Sequence, residues 1–285
     1  MGTMCRSTVP FRARARPLIH CNRFKTSWIL KTTDEGIVVK QASPYSSSEH
    51  LVYGNVLWDS GLALAKYVSW SDSQKLHWTQ PGLAQKQVLE LGTGTGVVAL
   101  TFARFGATVT ATDSEEEVLS LLVNNVQANH LASRISVHCL HWGDTTTYLR
   151  SQHFDLVVAA DVLYSRLDRW FWRALEAHMS RTRKTEALVA SPFRTDSPLK
   201  GFFDMALNAG MRIERLEDSA GRAAGGTKGL PSSVYSESCF VPLSAKACCE
   251  VASSPNFASS NQQQIQIFRL SWPELLEHED ARQQQ

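Results

Sequence analysis

Residues 88–96 read Val-Leu-Glu-Leu-Gly-Thr-Gly-Thr-Gly, and an apolar run, Val97–Phe105, follows directly. A strand that passes through alternate glycines into a helix constrains the fold more than any other feature of the chain. Glycine lets the backbone approach a ligand closely and take dihedrals that other residues avoid. The helix N-terminus behind it offers N–H groups that have no partner within the helix. In a doubly wound sheet, ligands bind at the carboxyl ends of the strands, and this loop stands at such an end.

A β/α rhythm surrounds the loop. Strands are expected at Val88–Leu91, Ala107–Thr112, Arg134–Cys139, Phe154–Ala160, Ala187–Ala190, Met211–Leu216 and Ile265–Leu270. Helices are expected at Thr95–Phe105, from Ser114 as N-cap to Asn129, and at Leu167–Met179 and Ser197–Ala209. Glu115, Glu116 and Glu117 suit the positive end of the second of these. The Phe154–Ala160 run is almost wholly apolar, as a strand buried on both faces requires. The rhythm predicts an α/β, mostly parallel, seven-stranded sheet covered by helices on both faces. Upstream, Trp28–Leu30 and Ile37–Val39 flank an Asp-Glu-Gly turn and predict a hairpin, an N-terminal β extension. A helix is expected from Asp59 to Tyr67, followed by a polar connection over 71–85.

Asp113 ends the second strand, 19 residues beyond Gly94. An acid there can accept both hydroxyls of a ribose, whichever nucleoside carries them. Three features favour one candidate. The loop is G-x-G-x-G, and position 97 is Val where the dinucleotide pattern takes Gly or Ala. Glu90 directly precedes the loop; a carboxylate sits badly beside a pyrophosphate and well beside an amino group and a sulfonium. Trp142, in the Trp-Gly-Asp after the third strand, offers an indole to an adenine or to the core. These features point to S-adenosylmethionine rather than NAD.

Composition bounds the remaining classes. The net charge is +2, 43% of residues are apolar and 20% charged; a whole-chain basic field is absent, which argues neither for nor against a nucleic-acid partner. No apolar run approaches the roughly 20 residues that span a bilayer. The six cysteines include no C-x-x-C pair and read as free thiols in a reducing compartment. No metal-ligating spacing occurs, His138 and His141 included, and no metal is expected.

The motifs Leu57-Trp58-Asp59-Ser60, Glu90 to Gly96, Thr112-Asp113, Asn124 to Asn129, Trp142-Gly143 and Ala159-Ala160-Asp161-Val162-Leu163-Tyr164, in this order, resemble methyltransferase family 16 of the seven-strand methyltransferases. Characterised members of that family methylate lysine side chains of proteins. The resemblance runs from about Ile37 to Leu270. It implies S-adenosylmethionine contacts at Trp58, Gly92, Thr93, Gly94, Asp113, Trp142 and Ala160, and a D-x-x-Y pair, Asp161 and Tyr164, at the methyl-transfer centre. On residue type alone, Asp161 could instead cap a helix and Tyr164 could pack on the sheet edge. Methyltransferases that modify amino groups of nucleic acids often carry N/D-P-P-Y here, and Val162 and Leu163 replace those prolines.

The expected organisation is a basic leader at 1–33, a methyltransferase domain at 34–277 with a long irregular insertion at 218–262, and a polar tail at 278–285. The leader has no acid before Asp34 and reads as disordered or as an organelle transit peptide. The expected protein is a monomer of the cytoplasm or nucleus, or of an organelle if the leader is read as an address. Its expected partner is a protein carrying the lysine acceptor. The alternatives are a methyltransferase acting on a small molecule or nucleic acid, and an inactive cofactor-binding module.

Overall fold

The computed structural model describes residues 27–30, 36–45, 51–74, 82–164, 168–182, 184–192, 199–216, 240–242 and 265–273. The expected leader up to residue 26, most of the 218–262 segment and the 278–285 tail lie outside the described residues.

Strands Gln87–Leu91 (β3), Thr108–Asp113 (β4), Ile135–Cys139 (β5), Leu156–Ala160 (β6) and Glu186–Pro192 (β7) run parallel, in the spatial order β5-β4-β3-β6-β7. Ile265–Ser271 (β10) then inserts antiparallel between β7 and Arg212–Leu216 (β8). All seven strands expected from the sequence are present. An eighth, Phe240–Pro242 (β9), lies inside the segment read as irregular and adds antiparallel to the β8 edge.

Period-two alternation sorts the side chains into two cores. Val88, Leu156, Val158, Leu188 and Ala190 face one of them; Leu89, Leu91, Val157, Ala159, Ala187 and Val189 face the other. Helices Asp59–Gln74 (α1), Val97–Arg104 (α2) and Glu116–Ala128 (α3) serve the first face, and Asp168–His178 (α4) and Leu199–Asn208 (α5) the second. Strand order reverses between β3 and β6, and a crevice at such a switch point is where doubly wound sheets bind ligands.

Several boundaries shift by a residue or two, and three differences bear on the helices beside the site. Helix α1 runs to Gln74, into the stretch read as a polar connection, with Ser71 fully buried. Helix α2 starts at Val97 rather than Thr95, because Gly96 takes φ 84°, outside the helical region. Ser114 does not cap α3. The N-cap is Glu115, and the Asp113 carboxylate accepts from the Ser114 and Glu115 N–H groups instead.

The hairpin of Ser27–Leu30 (β1) and Ile37–Lys40 (β2) is present, its first strand lying within the span assigned to the leader. It is fastened to the domain by Asn125 of α3 and by Asn129 at the C-cap of that helix. Asn129 accepts from Val38 N–H and donates to Val38 C=O, and Asn125 does the same for Lys40. The match is geometric. Four helical residues rise about 6 Å and two strand residues advance about 6.6 Å, so amides at i and i+4 meet alternate residues of a strand. Buried Ile37 and Val39 then close the first core.

Candidate active site

The loop after β3 is held from below. Its glycines 92, 94 and 96 all have φ between 53° and 84°. A side chain at Gly96 would start 2.4 Å from Leu122 Cδ1, so that position is closed by packing as well as by dihedral. Glycine brings no side chain to cap α2, and Glu90 supplies one from the strand. Its Oε2 accepts from Ala99 N–H in the first turn of α2 (3.0 Å) and from Thr93 Oγ1 (2.6 Å). Thr93 N–H bonds Thr112 C=O, and Gly94 N–H bonds Asp113 Oδ2 at 3.0 Å. The loop is thus tied by hydrogen bonds to the end of β4.

Glu90 therefore has a task inside the protein beyond the ligand-facing one expected for it, while also lining the cleft. Burial is the main reason its pKa is pushed up to about 8 from 4.5, against the lowering effect of its two donors. The folded chain accordingly favours the protonated carboxyl, and this contribution to stability is full below pH 4.5. It is lost as pH rises from there to about 8. Thermal unfolding of the cofactor-free protein should show Glu90→Gln, which keeps the acceptor oxygen, melting at or above wild type at pH 8–9, with the gap closing towards pH 5. Glu90→Ala should melt well below wild type at both pH values. A Gln variant as unstable as the Ala variant would contradict this account.

The cleft above the loop measures about 670 Å³. Asp113, Trp142 and Ala160 line it from the ends of β4, β5 and β6, and Trp58 closes it from the start of α1. Trp142 serves two tasks. Its ring meets Phe171 edge-on at 5.3 Å between centroids, in the second core, while also walling the cleft. A Cβ on Gly92 would lie 3.0 Å from both Trp142 and Val162, so glycine there lets these two side chains close on the loop. Burial raises the Asp113 carboxyl, and its three backbone donors work against that shift.

Asp161 follows β6 with φ 58°, a left-handed conformation rare outside glycine and concentrated at functional positions. It caps no helix, since α4 begins seven residues later. Its N–H bonds Ala190 C=O, and its Oδ2 accepts from Ser60 Oγ of α1 at 3.0 Å. Tyr164 is 43% exposed at the mouth of the cleft and meets Tyr53 rather than packing on the sheet edge. Partial burial, then the neighbouring acid Asp113, raises its phenol, which keeps it protonated at neutral pH.

All ten site residues expected from the sequence line this one cleft. Sequence reasoning missed Tyr53, Gly54 and Glu115, which line it too, and the bond from Ser60 to Asp161. Ser60 stood within a quoted motif, but nothing local links it to a residue 101 positions away. The charge of the lining is one-sided. Asp113, Glu115, Asp144 and Asp161 line the cleft with Glu90, which is mostly protonated at neutral pH and adds little charge; among the described residues no lysine or arginine does, and His141 is the lone basic type. Such a site favours cationic ligands and rejects phosphates. Among the described residues no cluster of His, Cys, Asp and Glu could hold a metal. No described helix is long and apolar enough to cross a membrane.

Comparison with known proteins agrees with this chemistry. A family model described as lysine methyltransferase matches residues 46–207. The protein N-lysine methyltransferase METTL21A of Xenopus tropicalis is 34% identical over 139 residues, 48% of this chain and 59% of that one. The protein-lysine methyltransferase METTL21E of Bos taurus is 36% identical over 121 residues, 40% and 39% of the two chains. The chain spans about half the length of the curated relatives it matches. Among solved structures, a putative SAM-dependent methyltransferase from Streptococcus mutans shares the fold, with TM-score 0.51 and 13% identity over 87% of this chain and 56% of that one.

Proposed function

The chain belongs to the lysine methyltransferase family, and we propose that it is an S-adenosylmethionine-dependent enzyme that methylates the side-chain amine of a lysine in a protein. The observation that carries this reading is the acid-lined cleft over the glycine loop, with no lysine or arginine among its described lining residues. A dinucleotide or a nucleic-acid backbone brings phosphates that this lining repels. A sulfonium donor and an ammonium acceptor are both cations that it attracts.

Bound S-adenosylmethionine supplies a methyl group on a positively charged sulfur. Trp142 and Asp113, which line the cleft, would hold its adenine and its ribose, and the Gly92–Gly94 turn would support its amino-acid end. Trp58 and Ala160 complete the walls. Asp161 and Tyr164 hold the acceptor. A free lysine has a pKa near 10.4 and must lose a proton before its nitrogen can attack. Asp161 would orient the amine and stabilise the positive charge that develops on its nitrogen as the methyl group is transferred. The resulting ammonium then releases its proton to solvent.

Asp113→Ala should weaken S-adenosylhomocysteine binding by about 1.5–3 kcal/mol, the scale of hydrogen bonds to a charged group, read by calorimetry. Unchanged affinity would remove Asp113 from the site. The function itself is tested by incubating the protein with methyl-labelled cofactor and cell extract. Label that resists nuclease and is released by protease supports a protein acceptor; label lost to nuclease, or confined to small molecules, overturns it.

A further inference from the structure

We infer that Tyr53 is an acceptor-positioning residue, whose ring forms with Tyr164 and Trp58 an aromatic corner that grips the target ammonium and retains it once methylated. The inference rests on the lysine-methylation reading and names a residue and a selectivity that the reading does not contain. Tyr53 stands between the other two rings, 5.5 Å from Tyr164 and 6.4 Å from Trp58 between centroids, inclined at 51° and 46°. Rings so tilted form a concave corner rather than a stack. All three line the cleft that holds Asp161.

The ring is exposed, yet its backbone is fixed. Tyr53 keeps 47% of its surface in solvent, so the core makes little use of it. Its carbonyl accepts from Trp58 Nε1, which sets the indole beside it. The turn Tyr53–Asn55 is pinned by fully buried Asn55, whose Nδ2 donates to Ser43 C=O and to Glu117 Oε1. Gly54 packs so close to Val118 that an added Cβ would lie 2.7 Å from a methyl. The same turn abuts the glycine loop, since a Cβ on Gly94 would meet Gly54 C=O at 3.2 Å. The aromatic corner therefore touches the donor loop on one side and opens to solvent on the other.

An electron-rich corner beside a carboxylate attracts an ammonium. Each methyl added to that nitrogen removes an N–H, weakens its hydrogen bonding to Asp161 and enlarges its apolar surface. The rings then take over the grip, which favours a second and third transfer. Each transfer forms one N–C bond and breaks one C–S bond, and the nitrogen sheds a proton before the next.

The test uses the full chain saturated with S-adenosylhomocysteine and titrated with N-acetyl-trimethyllysine amide or its uncharged carbon isostere. Wild type and Tyr53→Phe should bind the cation more tightly than the isostere. Tyr53→Leu, at an exposed position that the fold tolerates, should lose about three- to thirtyfold in cation affinity, the range of a cation–π contact. Cofactor affinity should stay unchanged. With labelled cofactor and extract, Tyr53→Leu should shift products towards monomethyl-lysine. Equal binding of cation and isostere by wild type, no binding of either, or a Leu variant that matches wild type in both readouts overturns the inference. If Tyr53→Leu leaves products unchanged while label still enters lysine, only the role of Tyr53 falls. If the cation preference holds but no protein is ever labelled, the lysine-methylation reading falls instead.

Discussion

Asp161→Asn should lower methyl transfer by about 10²–10⁴-fold, the range for loss of a positioned proton-handling or charge-stabilising group, with cofactor affinity held within a few-fold. Asparagine is the informative replacement. It tolerates the left-handed conformation that φ 58° imposes and can still accept from Ser60. What it removes is the negative charge proposed to face the acceptor amine. Alanine would add strain at this dihedral and confuse chemistry with folding. Single-turnover rates and calorimetry on the same preparation separate the two effects. Near-normal turnover by the asparagine variant would reduce Asp161 to a structural anchor of the β6 end.

The second large effect is on stability. Asn125 is fully buried and makes three hydrogen bonds at once, with Lys40 N–H, Lys40 C=O and Thr95 C=O. It ties the N-terminal hairpin and the glycine loop to one helix. Asn125→Ala strips partners from these backbone groups and should cost about 2–4 kcal/mol, since each unsatisfied buried group carries about 1–3 kcal/mol and water recovers part of it. Chemical denaturation should show the lowered midpoint. Hydrogen exchange should speed up at Lys40, whose N–H loses its acceptor. A variant of wild-type stability would mean that the asparagine pair decorates the hairpin instead of fastening it.

What the sequence revealed and what it hid divide by distance along the chain. The strands, the glycine loop and the acid at the end of β4 are local patterns, and each stands within a few residues of its expected bounds. Asp161 and Tyr164 came from the family resemblance, whose motif is contiguous here, and both line the cleft. Contacts between distant segments were not readable: Ser60 with Asp161, Asn125 with Lys40, Tyr53 with Tyr164. Tyr53 carries no periodic signal, since it sits in a three-residue turn whose shape depends on buried Asn55. Glu90 illustrates a subtler limit. Its place before the loop was plain, but its capping of α2 depends on Gly96 leaving the helix without a cap of its own, which only the folded backbone displays.

The most direct measurement is amino-acid analysis of the protein fraction after transfer from methyl-labelled S-adenosylmethionine, with wild type and Asp161→Asn run side by side. The account predicts label in Nε-methylated lysine with wild type and almost none with the variant. Label in another residue type, in nucleic acid or in small molecules, or equal labelling by the two proteins, would contradict it.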